Sequence, residues 1–224
     1  MTMSQQQPTA ATPLPLVDAA RLSPGAMRSE PFEWACIDGL LPPPAARRLS
    51  AAWPAQGFQL SSGTSGGKTY RMYRRGLVER GQGPADMGDL DPAWRELVDT
   101  LRSPGYRAAV ERMTGRELGG HEVEVVLWEY EPSCWLSPHT DKPEKSVTQV
   151  VYMNDTWDAA WGGTFQVLTG ESPDTVVEEV VPLLGRCAVI VRSDHSWHAV
   201  SPVREGLTHS RRSLQVVFWK TGTA

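Results

Sequence analysis

From His121 onward the chain runs as a series of short β-prone segments separated by turn residues: EVEVVLWEY, SVTQVVYMN, GTFQVL, TVVEEVVP, CAVIVRS, HAVSPV and RSLQVVFWK. Valine, isoleucine, threonine and aromatic residues dominate each run, and none is long enough for a helix of ordinary length. Many strands at close intervals cannot form a parallel α/β sheet, which needs a helical crossover between neighbours. They point to an antiparallel barrel or double-sheet roll. The preceding half differs. PFEWACIDGLL reads as a strand and PPPAARRLSAAWP as a short helix with prolines in its first turn. SSGTSGGK reads as a flexible loop, and TYRMYRRGL as an alternating strand. DPAWRELVDTLRS and PGYRAAVERMTG carry apolar residues at helical spacing, with Asp91 and Pro92 as N-cap and first helical residue. The predicted class is mainly β with flanking helices (α+β), two of the helices covering one face of a double-stranded β-helix, or jelly-roll, core.

Residues 1–28 are rich in Gln, Pro, Ala, Thr and Ser without periodicity and read as a disordered tail. The remainder, 29–224, reads as a single domain with a helical and lid part over 29–120 and a jelly-roll core over 121–220. A length of 224 residues suits that reading. The net charge of −4 argues against a nucleic-acid surface, which needs clustered positive charge. Neither a secretory leader nor a long apolar segment is visible, so no membrane partner is expected. The three separated cysteines suggest neither a disulfide framework nor a CxxC metal site, and a cytoplasmic location follows as the expectation.

The stretch WLSPHTDKP holds the sharpest chemical signal. On extended backbone, residues two apart share a face, so the His139 imidazole and the Asp141 carboxylate converge on one point. Two histidines and a carboxylate on one side of a metal are the ligand set of non-haem Fe(II) centres, which keep coordination positions open. The third ligand is expected from a later strand, where His195, His198 and His209 are available.

With these motifs the sequence resembles the prolyl-4-hydroxylase-like branch of the iron(II)/2-oxoglutarate-dependent oxygenases. The resemblance covers roughly residues 121–220, with a weaker match at PFEWACIDGLLPPPAARRL. It implies that His198, in WHAVSPV and 57 residues after Asp141, completes the metal set with His139 and Asp141. It implies an arginine and a serine two apart in a later strand, matched by Arg211 and Ser213 in RRSLQVVFW. A planar guanidinium suits the distal carboxylate of a chelated keto acid, and Ser213 shares the face of Arg211; a register shifted by one residue would hand the role to Arg212. Tyr130, before the HxD pair, is the resemblance's candidate for a further keto-acid contact. Gly162 and Gly163 match the family's double-glycine turn, a structural feature of the rim. His195 is read as a rim residue.

The implied cofactors are Fe(II), 2-oxoglutarate and O2, with succinate and carbon dioxide as products. In related halogenases a glycine or alanine stands at the carboxylate position, so Asp141 implies hydroxyl rebound in preference to halogen transfer, with desaturation and cyclisation left open. The implied partner is a small molecule bearing a carboxylate, such as an amino acid or a natural-product intermediate. Arg71, Tyr73 and Arg74 of the lid strand are its candidate contacts, with Trp197 beside the site. Trp135, Trp157 and Trp161 are further candidates for the pocket wall. A peptidyl prolyl-type hydroxylase and a noncatalytic metal-binding jelly roll are the alternatives.

Overall fold

The computed structural model describes residues 15–222 apart from residue 66. The chain forms β1 (Trp34–Ile37), α1 (Pro43–Ala51), β2 (Gln59–Ser65), β3 (Lys68–Val78), α2 (Pro92–Arg102) and α3 (Pro104–Thr114). There follow β4 (Glu122–Tyr130), β5 (Trp135–His139), β6 (Lys145–Tyr152), β7 (Phe165–Leu168), β8 (Val176–Val180), β9 (Cys187–Val191), β10 (His198–Val200) and β11 (Arg211–Trp219). The strands pair antiparallel in the order β1-β9-β6-β11-β4-β3-β5-β10-β7-β8, with β2 on the outer edge of β3. Strand β3 joins the two halves: Tyr73–Val78 pairs with β4, whereas Tyr70 and Arg71 pair with β5. The result is the expected jelly roll, a nearly closed antiparallel sheet with helices on one face.

Period-two alternation decides what faces the inside of the roll. On β11, Leu214, Val216 and Phe218 are buried in one core with Trp94, Leu97 and Leu101 of α2 and Tyr106 and Val110 of α3. Arg211, Ser213 and Gln215, the alternate residues, line an internal cavity. The helices form where their local signals place them. Asp91 caps α2 by accepting from the Ala93 N–H, and Ser103 caps α3 by accepting from the Tyr106 N–H. Between the two halves of the roll a second core gathers Trp34, Val150, Tyr152, Phe165 and Ile190.

Three features differ from the sequence reading. SSGTS is not a loop but most of β2, registered on β3 from Gln59↔Arg74 to Ser65↔Lys68. An edge strand with both faces largely solvated needs no apolar alternation, so its sequence carries no strand signal. The reading of 1–28 as a tail fails from residue 15 on. Leu16, Val17 and Leu22 are buried in the main core, the Asp18 N–H donates to the Leu40 carbonyl, and Arg28 bridges Trp34. Residues 1–14 lie outside the described residues. Finally, β5 is too short and too polar to stand out, although it carries the first metal-site histidine. No described helix is long and apolar enough to cross a membrane.

Candidate metal centre and anion pocket

His139 closes β5 and His198 opens β10, and antiparallel pairing sets them directly opposite each other. Their rings lie 4.3 Å apart between centroids. Asp141 stands two residues beyond His139, and one ligand atom from each of the three falls within 4.8 Å of the others. All three residues are buried.

Backbone contacts orient both imidazoles. His139 Nδ1 is 3.0 Å from the Ser137 carbonyl, and His198 Nδ1 is 2.8 Å from the Ser196 carbonyl. Each Nδ1 therefore carries the proton and each Nε2 offers its lone pair to the centre. Burial, reinforced by His198, holds the His139 pKa well below the usual imidazole range, and burial also lowers that of His198. Both rings are thus neutral, as metal ligands must be. Burial by itself would raise the Asp141 pKa, but the Lys145 ammonium, by its charge and its hydrogen bond, holds it well below the usual carboxylate range. Lys145 Nζ donates to Oδ1 at 2.6 Å and Thr148 Oγ1 to Oδ2 at 2.7 Å. An ionised, oriented carboxylate beside two neutral imidazoles fits a divalent first-row metal with open positions.

The triad opens onto a cavity of about 230 Å³ whose lining includes Arg211. That side chain is only 1% exposed. Its Nε donates to the Gly163 carbonyl at 2.6 Å and Nη1 to Ser213 Oγ at 3.3 Å. The guanidinium carbon lies 4.7 Å from the Tyr130 ring and 5.2 Å from the Tyr152 ring. No carboxylate of a described residue pairs with it. Arg212 faces the other way, paired with Glu129 at 3.2 Å and lying over Trp53.

Gly162 and Gly163, both with positive φ, make the turn beneath Arg211. A Cβ on Gly162 would stand 2.0 Å from the Pro202 carbonyl oxygen, so no other residue fits there.

Of the sequence candidates, His139, Asp141, His198, Arg211, Ser213 and Tyr130 come together at this cavity. Arg71, Tyr73, Arg74 and Trp197 do not line it. Strand alternation explains most of this: Tyr70 and Met72 face inward, so Arg71 and Tyr73 face out, and Trp197 is one residue out of phase with His198. Arg74 is drawn away by Glu79, 2.9 Å distant. Trp135, Trp157 and Trp161 do not line the cavity either, whereas Trp128 does. His195 is exposed and outside the triad. Residues that the sequence reading passed over are Lys145 and Thr148 on Asp141, and Tyr152, whose buried ring lies against the Arg211 guanidinium. The signal was available in SVTQVVYM, where Thr148, Val150 and Tyr152 fall on one face of β6.

Residues 125–219 match the sequence model of the 2OG-Fe(II) oxygenase superfamily. No curated protein matches the chain in sequence. Among solved structures, it is similar to a Pseudomonas putida prolyl-4-hydroxylase (TM-score 0.61, 21% identity, 84% of this chain and 92% of that one). It is also similar to a Trichoplax adhaerens prolyl hydroxylase solved with a hypoxia inducible factor peptide fragment (TM-score 0.56, 16% identity, 83% of each chain). A third is SnoN, a non-heme alpha ketoglutarate dependent epimerase from nogalamycin biosynthesis (TM-score 0.50, 17% identity, 90% of this chain and 79% of that one). The jelly roll carries a buried His-Asp-His triad, and every residue of that triad lies in the segment 125–219 that matches the 2OG-Fe(II) oxygenase superfamily.

Proposed function

We propose that this oxygenase hydroxylates an unactivated C–H bond of a small carboxylate-bearing molecule, with His139, Asp141 and His198 holding Fe(II) and Arg211 binding the distal carboxylate of 2-oxoglutarate. When bound, iron and the keto acid supply the dioxygen chemistry, yielding succinate, carbon dioxide and hydroxylated substrate.

The observation that carries the keto-acid assignment is the buried, unpaired guanidinium of Arg211 on the wall of the cavity that holds the triad. An isolated buried charge is costly, and a planar fork answers best to a carboxylate. Ser213 Oγ, held at 3.3 Å from Nη1, adds a donor on the same face. The Tyr130 and Tyr152 rings flank the guanidinium and keep water from it. Lys145 and Thr148 fix the Asp141 carboxylate, so the chain supplies an oriented ligand instead of a mobile one.

A cavity of about 230 Å³ favours a small substrate over an extended chain. The names of the P. putida and Trichoplax proteins favour a second reading, prolyl hydroxylation in a peptide. The test is an anaerobic titration with Fe(II) and 2-oxoglutarate, followed by the weak visible charge-transfer band, then succinate formation with candidate substrates. The His198→Ala variant should lose the band and His195→Ala should keep it; the reverse would overturn the ligand assignment. Turnover of proline-containing peptides, with no small acid turned over, would favour the second reading.

A further inference from the structure

Four cations and one anion face this cavity: Lys68, Lys142, Lys145 and Arg211 against Asp141. The chain as a whole has a net charge of −4, so the positive lining is a local feature. Two of the cations are already assigned. Lys145 is bonded to Asp141 at 2.6 Å, and Arg211 answers to the keto acid. Lys68 and Lys142 have no ion-pair partner among the described residues.

We propose that Lys68 and Lys142 form an anion subsite that grips a carboxylate of the primary substrate on the metal side of the cavity. This rests on the reading of the site as a 2-oxoglutarate oxygenase. Position separates the subsite from the keto-acid pocket. Lys142 directly follows Asp141, on the connection between β5 and β6, and the charges of Asp141, Lys142 and Lys145 all act on Lys68, so both lysines stand beside the triad. Arg211 belongs to the wall with Ser213 and Gly163. Strand phase explains why Lys68 reaches inward: it shares the inward face with Tyr70 and Met72. Its ammonium lies 5.9 Å from the Tyr70 ring. Burial and the neighbouring charge of Lys145 lower the Lys68 pKa, the mark of a cation lacking a counter-charge.

The chemistry narrows the ligand. Tyr70, Met72 and Leu136 line the same region and offer an apolar bed, so the substrate combines an anionic head with an apolar body. Two ammonium groups act as point charges and call for an anion without dictating its shape, and the small-acid reading of the site makes that anion a carboxylate. The outward face of β3, with Arg71 and Tyr73, plays no part in this recognition.

Matched pairs of small amino acids and their primary amides test the proposal by binding. Each is titrated anaerobically into protein loaded with Fe(II) and 2-oxoglutarate, and the shift of the charge-transfer band gives Kd. At least one acid should bind about tenfold or more tightly than its amide, as expected for a charge-assisted contact. Lys68→Met and Lys142→Met should each raise the Kd of that acid about tenfold and leave the amide's Kd in place. Lys68→Arg, which keeps the charge, should largely preserve the preference. Lys142 is exposed, so its replacement tests the idea even where the Lys68 variant folds poorly. The proposal is overturned if no acid outperforms its amide, if both methionine variants keep the preference, or if Arg71→Gln erases it. Absence of the band in the wild-type protein would instead overturn the oxygenase reading of the site, and this subsite with it.

Discussion

Thr148 Oγ1 lies 2.7 Å from Asp141 Oδ2, so a residue of β6 holds the only carboxylate of the triad in place from behind. Lys145 takes the other oxygen, which leaves the carboxylate ionised and oriented without any metal. Each carboxylate oxygen has a second lone pair, so a metal can join these donors. Thr148→Val keeps the shape and removes the hydroxyl. Fe(II) affinity should fall about 10- to 100-fold, the usual cost of losing a partner of a metal ligand. Competition with a calibrated chelator measures it, and unchanged circular dichroism would show that the fold is intact.

Arg211 presents an uncompensated buried charge in the ligand-free protein, and its removal should separate binding from stability. Arg211→Met should weaken 2-oxoglutarate binding at least about tenfold, because a hydrogen bond to a charged group contributes about 1.5–3 kcal/mol. The same variant should unfold at no lower denaturant concentration than wild type, since an unpaired buried cation costs more than an apolar side chain of similar volume. Arg212→Gln, on the outer face with Glu129, should leave keto-acid affinity unchanged. Isothermal titration and urea unfolding together decide the matter.

The triad was legible because its signals are local or motif-bound. His139 and Asp141 stand two apart, and His198 sits in a WH context after an apolar run. Arg211 was legible through the R-x-S match, with alternation only setting Ser213 on its face; which of Arg211 and Arg212 turns inward is decided by the pairing of β11. Substrate contacts were not, because TYRMYRRG is amphipathic in neither phase, and only pairing of β3 with both β4 and β5 decides that Lys68, Tyr70 and Met72 turn inward. Lys145 and Thr148 were hidden for a related reason. They approach Asp141 only because the chain turns between β5 and β6, at a place where no glycine marks the turn. Residues 15–28 show a further limit: three buried side chains, Leu16, Val17 and Leu22, are too few to give a periodic pattern yet enough to tie the segment to the core.

Gly162 carries φ +69° and ψ −151°, a conformation essentially closed to residues with a side chain. In Gly162→Ala the added carbon meets the Pro202 carbonyl, and the turn that supports Arg211 must move. A loss of about 3 kcal/mol or more in unfolding free energy is expected, combining backbone strain with the clash. Gly163→Ala should cost less, because its Cβ would meet side-chain atoms of Arg211 and Val203 at 3.1 Å, and these can shift. Its effect should fall more on keto-acid affinity than on stability, since Arg211 is what shifts. Urea unfolding and 2-oxoglutarate titration of both variants give the comparison.

Acid should destabilise the metal-free protein in a window set by the buried imidazoles. His139 and His198 have folded pKa values below their unfolded value of about 6.5, so the unfolded chain binds more protons as pH falls through that point. Stability is then fully present above about pH 6.5 and declines below it, by at most about 1.4 kcal/mol per pH unit for each histidine. Asp141, held well below the usual carboxylate range, adds no slope between pH 7 and 5. His121, lowered mainly by partial burial, adds a smaller share. Urea unfolding at pH 7.5, 6.5 and 5.5 should show the decline, and a His139→Gln, His198→Gln double variant should flatten most of it. A double variant as acid-sensitive as wild type would mean that the two rings take up protons in the folded state as readily as in the unfolded one, contrary to their burial.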